Sequence, residues 1–263
     1  MKWGAKITFG MLIVSVLFST AVLGRNLWMQ EKEQMKFEDL RNQISASKER
    51  NSLREQHKEQ ECETTESMTG GERAILPEYE EIVKENPDFA GWISIEGTNI
   101  DYPVMQTPWE PEYYLHRNFT GDNSYVGIPF IGSGDMKETK GDLFIYGHNM
   151  RNGTMFADLL DYRNWSVWKT QPVIYLDTLW EKREYEIFAA FYATEADWNE
   201  KGGLFYDYDK NSKMNRKTYI QELKKEGLYQ TDTEPGTDCR LLFLVTCSYQ
   251  KGDGRFVVIG FCY

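Results

Sequence analysis

The sequence is poor in the residues from which metal and redox sites are built. It has four cysteines and three histidines in 263 residues. Cys62, Cys239, Cys247 and Cys262 show no two-residue spacing, and His57, His116 and His148 complete no recognisable zinc frame. Positive charge is also short: 30 Lys and Arg against 41 Asp and Glu leave a net charge of -11. A nucleic-acid binder needs a basic footprint to displace phosphate counterions, so this balance disfavours that class. There is no internal repeat, and there is one long apolar run.

That run lies at the N-terminus. Lys2 and Lys6 precede an uncharged stretch from Ile7 to Leu23, closed by Gly24 and Arg25. Its length is close to the roughly 17–25 residues that cross a bilayer as a helix. Basic residues on its N-terminal side keep that end in the cytoplasm. A cleaved signal peptide is the alternative, but the run is long for one and lacks a clear small-residue cleavage pattern. Both readings export the rest of the chain. Residues 1–25 are therefore expected to be an uncleaved membrane anchor, with the folded part extracellular.

Residues 26–74 are rich in Glu, Lys, Gln, Arg and Ser, with only Met35, Leu40, Ile44 and Leu53 as a sparse apolar stripe. They read as a solvated helical stalk that frays into linker between Thr64 and Gly71. The heptad pattern is poor, and His57 and Cys62 read as incidental.

Residues 75–263 hold the core-forming sequence. The whole chain is 41% hydrophobic and 14% aromatic, with 16 Tyr and 8 Trp, which suits a β-rich body with a surface groove. Pro77–Asn86 reads as a short helix. Gly91–Gly97 and Ile100–Met105 read as a hairpin turning at Gly97-Thr98-Asn99, with Pro103 implying an edge or a bulge. Further strands are expected at Ile128–Ile131, Asp142–Tyr146, Pro172–Asp177, Arg183–Ala193, Cys239–Thr246 and Phe256–Tyr263. Met155–Tyr162 has helical spacing. The polar excursion 195–237 contains a helix from Ser212, its cap, to Gly227. About eight short strands with few helices predict a closed or nearly closed β-barrel.

Two of these strands deliver a titratable side chain at their ends. One runs into Cys247, flanked by Thr246 and Ser248, and a glycine-rich turn then leads to Arg255 at the start of the last strand. The other runs from Asp142 into His148. An unassisted thiol with a pKa of about 8.5 is little ionised at neutral pH. An imidazole supplies the missing base and can later protonate a leaving amine, and a guanidinium can steady an oxyanion. A lone cysteine in an apolar strand is more often core, which fits Cys239 and Cys262 better than Cys247. In an exported chain a disulfide is also open, and Cys239 with Cys262 is the first pairing to consider. His116 competes with His148 but has no strand behind it.

The segment Leu244-Val-Thr-Cys247-Ser, with Arg255 opening the next strand, closely resembles the signature of the sortases. Tyr146-Gly-His148-Asn-Met150 is similar to their histidine motif. Gly91-Trp-Ile, Gly97 to Gln106, Tyr114-Leu115 and Ser124-Tyr-Val-Gly127 resemble the family's N-terminal half, so the likeness covers about residues 77–263. The form of the histidine motif, the N-terminal helices and the helix-bearing insertion between strands six and seven look like class B. Gly132 and Ser248 stand where some relatives carry acidic residues. The resemblance implies an eight-stranded sortase-type β-barrel and a cysteine transpeptidase. Cys247 would be its nucleophile, His148 its acid/base and Arg255 its oxyanion or substrate-aligning group. Leu115, Thr246, Ser248 and Tyr249 would line the substrate groove. It implies partners as well: surface proteins with an LPxTG-like or NPxTx-like sorting motif, cleaved after Thr, and an amine of cell-wall peptide or of a protein lysine. It implies no cofactor and no metal; some relatives respond to calcium, but no acidic cage stands out here.

Other classes fit less well. L,D-transpeptidases keep histidine and arginine close to the cysteine, and papain-like proteases place cysteine before histidine. A non-enzymatic, membrane-tethered β-barrel that binds wall or pilus proteins would tolerate loss of the Cys247 thiol.

Overall fold

In the computed structural model the described residues are 2–58, 73–138, 141–199, 203–205, 215–248 and 254–262. The chain divides into two compact units, Met1–Gln43 and Ile44–Tyr263. Helix α1 (Lys2–Lys58) contributes to both and runs through Gly24 without a break. Within the first unit the stretch from Met11 to Leu23 exposes its large apolar side chains, and α1 is long and apolar enough to cross a membrane. The expected linker at Thr64–Gly71 and Cys62 lie outside the described residues.

The second unit holds α2 (Glu80–Glu85) and eight strands: β1 (Phe89–Ser94), β2 (Asp101–Met105), β3 (Phe130–Ser133), β4 (Leu143–Tyr146), β5 (Val173–Thr178), β6 (Lys182–Thr194), β7 (Arg240–Cys247) and β8 (Gly254–Cys262). They close into a barrel in the order β1-β2-β3-β4-β7-β8-β6-β5. Six joints are antiparallel. The joints β2–β3 and β4–β7 are parallel. The β1–β2 hairpin turns through Gly97, whose φ of 77° is the left-handed geometry that glycine adopts at no steric cost. Pro103 opposes Trp92 of β1, while on its other side β2 meets β3 only at Met105. The missing N–H of proline therefore interrupts no ladder bond there.

Strands β7 and β8 read as unbroken apolar runs because both of their faces are covered. One face lines the barrel. On the other, Leu241, Phe243, Val245, Val257, Ile259 and Phe261 pack in a cluster with Phe205 and with Tyr219, Ile220 and Leu223. Those last three belong to a helix of the β6–β7 insertion. The insertion begins with α4 (Ala196–Asn199), and its main helix is α5 (Arg216–Glu226). The cap of α5 is Asn215, whose side chain accepts the Thr218 N–H at 2.9 Å; the expected cap, Ser212, lies outside the described residues. Arg216 pins α5 to the barrel with two bonds to Asp142, at 2.6 and 2.7 Å, and one to the Cys239 carbonyl at 2.9 Å.

Two local expectations change. The helical spacing of Met155–Tyr162 is realised as a 3-10 helix, Ala157–Arg163. Phe156 just before it and its buried residues Leu159 and Tyr162 recur every third position, which is the 3-10 repeat. A short helix, α3 (Trp165–Thr170), follows where the sequence pattern predicts none. Cys239, Cys247 and Cys262 are all free thiols. Cys262 pairs with Arg240 and shares its face, whereas Cys239 packs with Leu241 and Phe243 on the helix-covered face. The Cys239–Cys262 disulfide is therefore absent: the pleat turns the two side chains to opposite sides of the sheet.

Candidate active site

Parallel pairing of β4 with β7 places the C-terminal ends of both strands at the same end of the barrel. The register runs from Leu143↔Leu242 to Tyr146↔Val245. Two residues further on stand His148 and Cys247. Because β8 is antiparallel to β7, it starts where β7 ends, and Cys247 and Arg255 are direct cross-strand partners. A strand's two-residue period decides the face. Cys247 continues the row Phe243, Val245, and Arg255 continues Ile259, Val257. Cys247 and Arg255 therefore rise from the helix-covered face just beyond its cover, His148 follows the end of β4 at the same end of the barrel, and each of the three is half-buried.

Short bonds hold this end together. The Gly147 N–H donates to the Val245 carbonyl at 3.1 Å. The Thr246 hydroxyl donates to the Gly147 carbonyl at 2.7 Å. The Asn149 amide donates to the Cys247 carbonyl at 3.0 Å. Across the hairpin, the Ser248 N–H donates to the Gly254 carbonyl at 2.8 Å. Gly147 is required where it stands, since a Cβ there would lie 2.7 Å from the Phe156 ring.

His148 is gripped from a different segment, the 3-10 turn Tyr113–His116. Its Nε2 lies 2.8 Å from the Leu115 carbonyl. A carbonyl only accepts, so Nε2 carries a proton and Nδ1 is the nitrogen left for exchange. The His116 ring stacks on His148, with centroids 5.5 Å apart and planes 29° from parallel. Burial holds His148 below the ordinary histidine value, the Leu115 carbonyl pulls it back up, and His116 lowers it again.

Beside Arg255 a cleft of about 680 Å³ opens, lined by Trp109, Glu110, Glu112, Tyr146 and Glu195 among others. Its floor is aromatic: Tyr146 stacks on Phe130, with centroids 5.8 Å apart. Gly132 permits this, because a Cβ there would lie 2.6 Å from the Tyr146 ring. Neither Cys247 nor His148 lines this cleft, so it adjoins the trio on the Arg255 side.

The sequence-based groove residues fall in different places. Leu115 is half-buried and gives its carbonyl to His148. Thr246 and Ser248 are buried, with the Thr246 hydroxyl engaged at Gly147. Tyr249 lies outside the described residues. Sequence reasoning did not single out Trp109, Glu110, Glu112, Glu195 or Tyr146 as cleft-lining. The available signal was the aperiodic aromatic and polar stretch 107–125, a loop-like segment of the kind on which binding residues concentrate.

A family model described as the sortase domain matches residues 93–261. Sortase B of Listeria monocytogenes is 30% identical over 189 residues, covering 71% of this chain and 74% of that protein. Sortase B of Staphylococcus aureus is 26% identical over 195 residues, covering 73% and 77%. The X-ray structure of Clostridium perfringens sortase B is similar with a TM-score of 0.59 at 30% identity, covering 69% of this chain and 97% of that one.

Proposed function

Because this chain belongs to the sortase family, and its relatives are class B members, we propose that it is a membrane-anchored cysteine transpeptidase that joins surface proteins to an amine. Cys247 Sγ, as thiolate, attacks the carbonyl carbon of a threonine within a C-terminal sorting motif. The C–N bond to the next residue breaks, and the departing amine takes a proton from His148. The thioacyl-enzyme is then attacked by an amine of cell-wall peptide or of a protein lysine. That amine gives a proton to His148, and Cys247 leaves as thiolate.

Arg255 opposes Cys247 in register, and its guanidinium supplies donors to the oxygen on which charge develops in both steps. With Nε2–H committed to Leu115, His148 exchanges its catalytic proton at Nδ1. The cleft beside Arg255, with the β7–β8 end, receives the sorting motif. Residues 1–25 anchor the chain with its N-terminus in the cytoplasm, 26–74 space the domain from the bilayer, and 75–263 carry the catalysis outside.

The observation that carries this reading is the strand pairing: β4 runs parallel to β7 and Cys247 opposes Arg255, so the strand ends that lead to His148, Cys247 and Arg255 lie at one end of the barrel. The full-length chain in detergent, given LPxTG-like and NPxTx-like peptides with an added amine, is expected to cleave after threonine and form the amide product. Cys247→Ala should abolish both. A panel with no turnover above Cys247→Ala refutes the proposal.

A further inference from the structure

The mechanism above leaves His116 without a task, although its ring stacks on His148. We propose that His116 is a positioning residue for the reaction: it holds the His148 ring on the Leu115 carbonyl and couples its own charge to the proton that His148 exchanges. This rests on the reading of His148 as the proton-exchanging group.

The turn that presents His116 is firmly seated. Tyr114 is buried, and its hydroxyl donates to Asp88 at 2.9 Å while accepting from Asn86 at 2.8 Å. The His116 carbonyl accepts the Ser124 N–H at 2.9 Å, and the Tyr114 carbonyl accepts that of Ile128 at 3.1 Å. Gly127, at φ 63°, lets the chain pass so close to the Leu115 carbonyl that a Cβ would lie 2.4 Å from it. Leu115 and His116 therefore meet His148 as one preorganised unit: the carbonyl fixes Nε2 in the ring plane, and the second imidazole covers a ring face.

The two rings stand close enough for a charge on one to act on the other. A proton on His116 repels a proton on His148, while a neutral His116 ring offers its face to the imidazolium. The other charged groups at this end belong to other elements. Cys247 ends β7, and Arg255 stands opposite it on β8. Arg151 follows on the loop after His148. Arg117, next to His116, is turned away: its guanidinium lies 4.4 Å from the Tyr113 ring centroid and donates to the Gly121 carbonyl at 3.0 Å. The direction of the His148 shift agrees, since His116 is the charged group among its causes and lowers it. His116 itself is exposed, and its ring covers a half-buried neighbour.

The test uses the full-length chain in detergent with isotope-labelled histidine, and follows both the His148 imidazole titration and the pH profile of kcat/KM. His116→Phe keeps a flat ring and removes the charge. It should move the His148 midpoint, and the kcat/KM limb that follows it, to higher pH. His116→Arg keeps a stackable planar group with a permanent charge and should move both to lower pH. At the optimum either variant should retain kcat/KM within about tenfold of the parent, against the roughly 10²–10⁴-fold lost when a general acid–base group is removed. His148 midpoints unchanged in both variants overturn the proposal. A separate arm, His148→Ala, distinguishes the two levels: if that variant keeps parental turnover, the assignment of His148 itself falls.

Discussion

Thr246→Val removes a single hydroxyl from the joint between the two strands that present His148 and Cys247. Thr246 is 2% exposed, and its Oγ1 donates to the Gly147 carbonyl at 2.7 Å. Valine keeps the volume and the β-branch, and the strand's backbone bonds stay as they are. What is lost is one donor to an acceptor in a partly buried place. An unpaired buried acceptor costs about 1–3 kcal/mol, and Gly147 is only half-buried, so about 1–2 kcal/mol is expected. For a domain of this size that corresponds to a fall in Tm of about 2–8 °C. Activity should suffer more than stability, because Gly147 and Thr246 directly precede His148 and Cys247. A displacement of about 1 Å between reacting groups costs on the order of 10²-fold, so kcat/KM should drop by about 10–100-fold. Thermal melting followed by circular dichroism, and peptide cleavage followed by chromatography, measure the two effects. Thr246→Ser restores the donor and should recover most of both. A valine variant with parental Tm and parental kcat/KM refutes the role of this bond. A raised KM with unchanged Tm would instead place the hydroxyl against the substrate.

Two further outcomes follow from packing around the site. Arg216→Met leaves Asp142 without its bidentate partner, where the two side chains are 19% and 10% exposed; a cost of about 3–5 kcal/mol is expected in urea unfolding, with early loss of amide protection in α5. Gly132→Ala places a Cβ about where the Tyr146 ring now lies and forces that ring off Phe130; steady-state kinetics should show a raised KM with kcat little changed, and an unchanged KM would remove the aromatic floor from substrate binding.

Much of the fold is written in local pattern. Period-two alternation and apolar runs mark the strands, and the distinction between runs covered on one face and on two is visible in β5 against β7. The residue types at strand ends are equally local: a thiol after an apolar run, a histidine after another, and an arginine opening a third. The helix period is harder to read. Phe156, Leu159 and Tyr162 fit both an α-helix and a 3-10 helix over so short a span, and their packing selected the latter.

Which strands lie side by side is not a local property. That β4 runs parallel to β7 is decided by barrel closure, and it sets the strand end before His148 beside the strand end that carries Cys247. The pleat also turns Cys239 and Cys262, the first disulfide pairing to consider from sequence, to opposite faces of the sheet. The stack of His116 on His148 and the cleft walled by Trp109 and Glu195 join segments with no shared periodicity. Sequence alone thus determined the chemistry the chain carries and the elements that bear it, because side-chain identity and hydrophobic period are one-dimensional. Tertiary structure decided which groups meet, on which face and against which neighbour, because strand order and register arise only when the barrel closes.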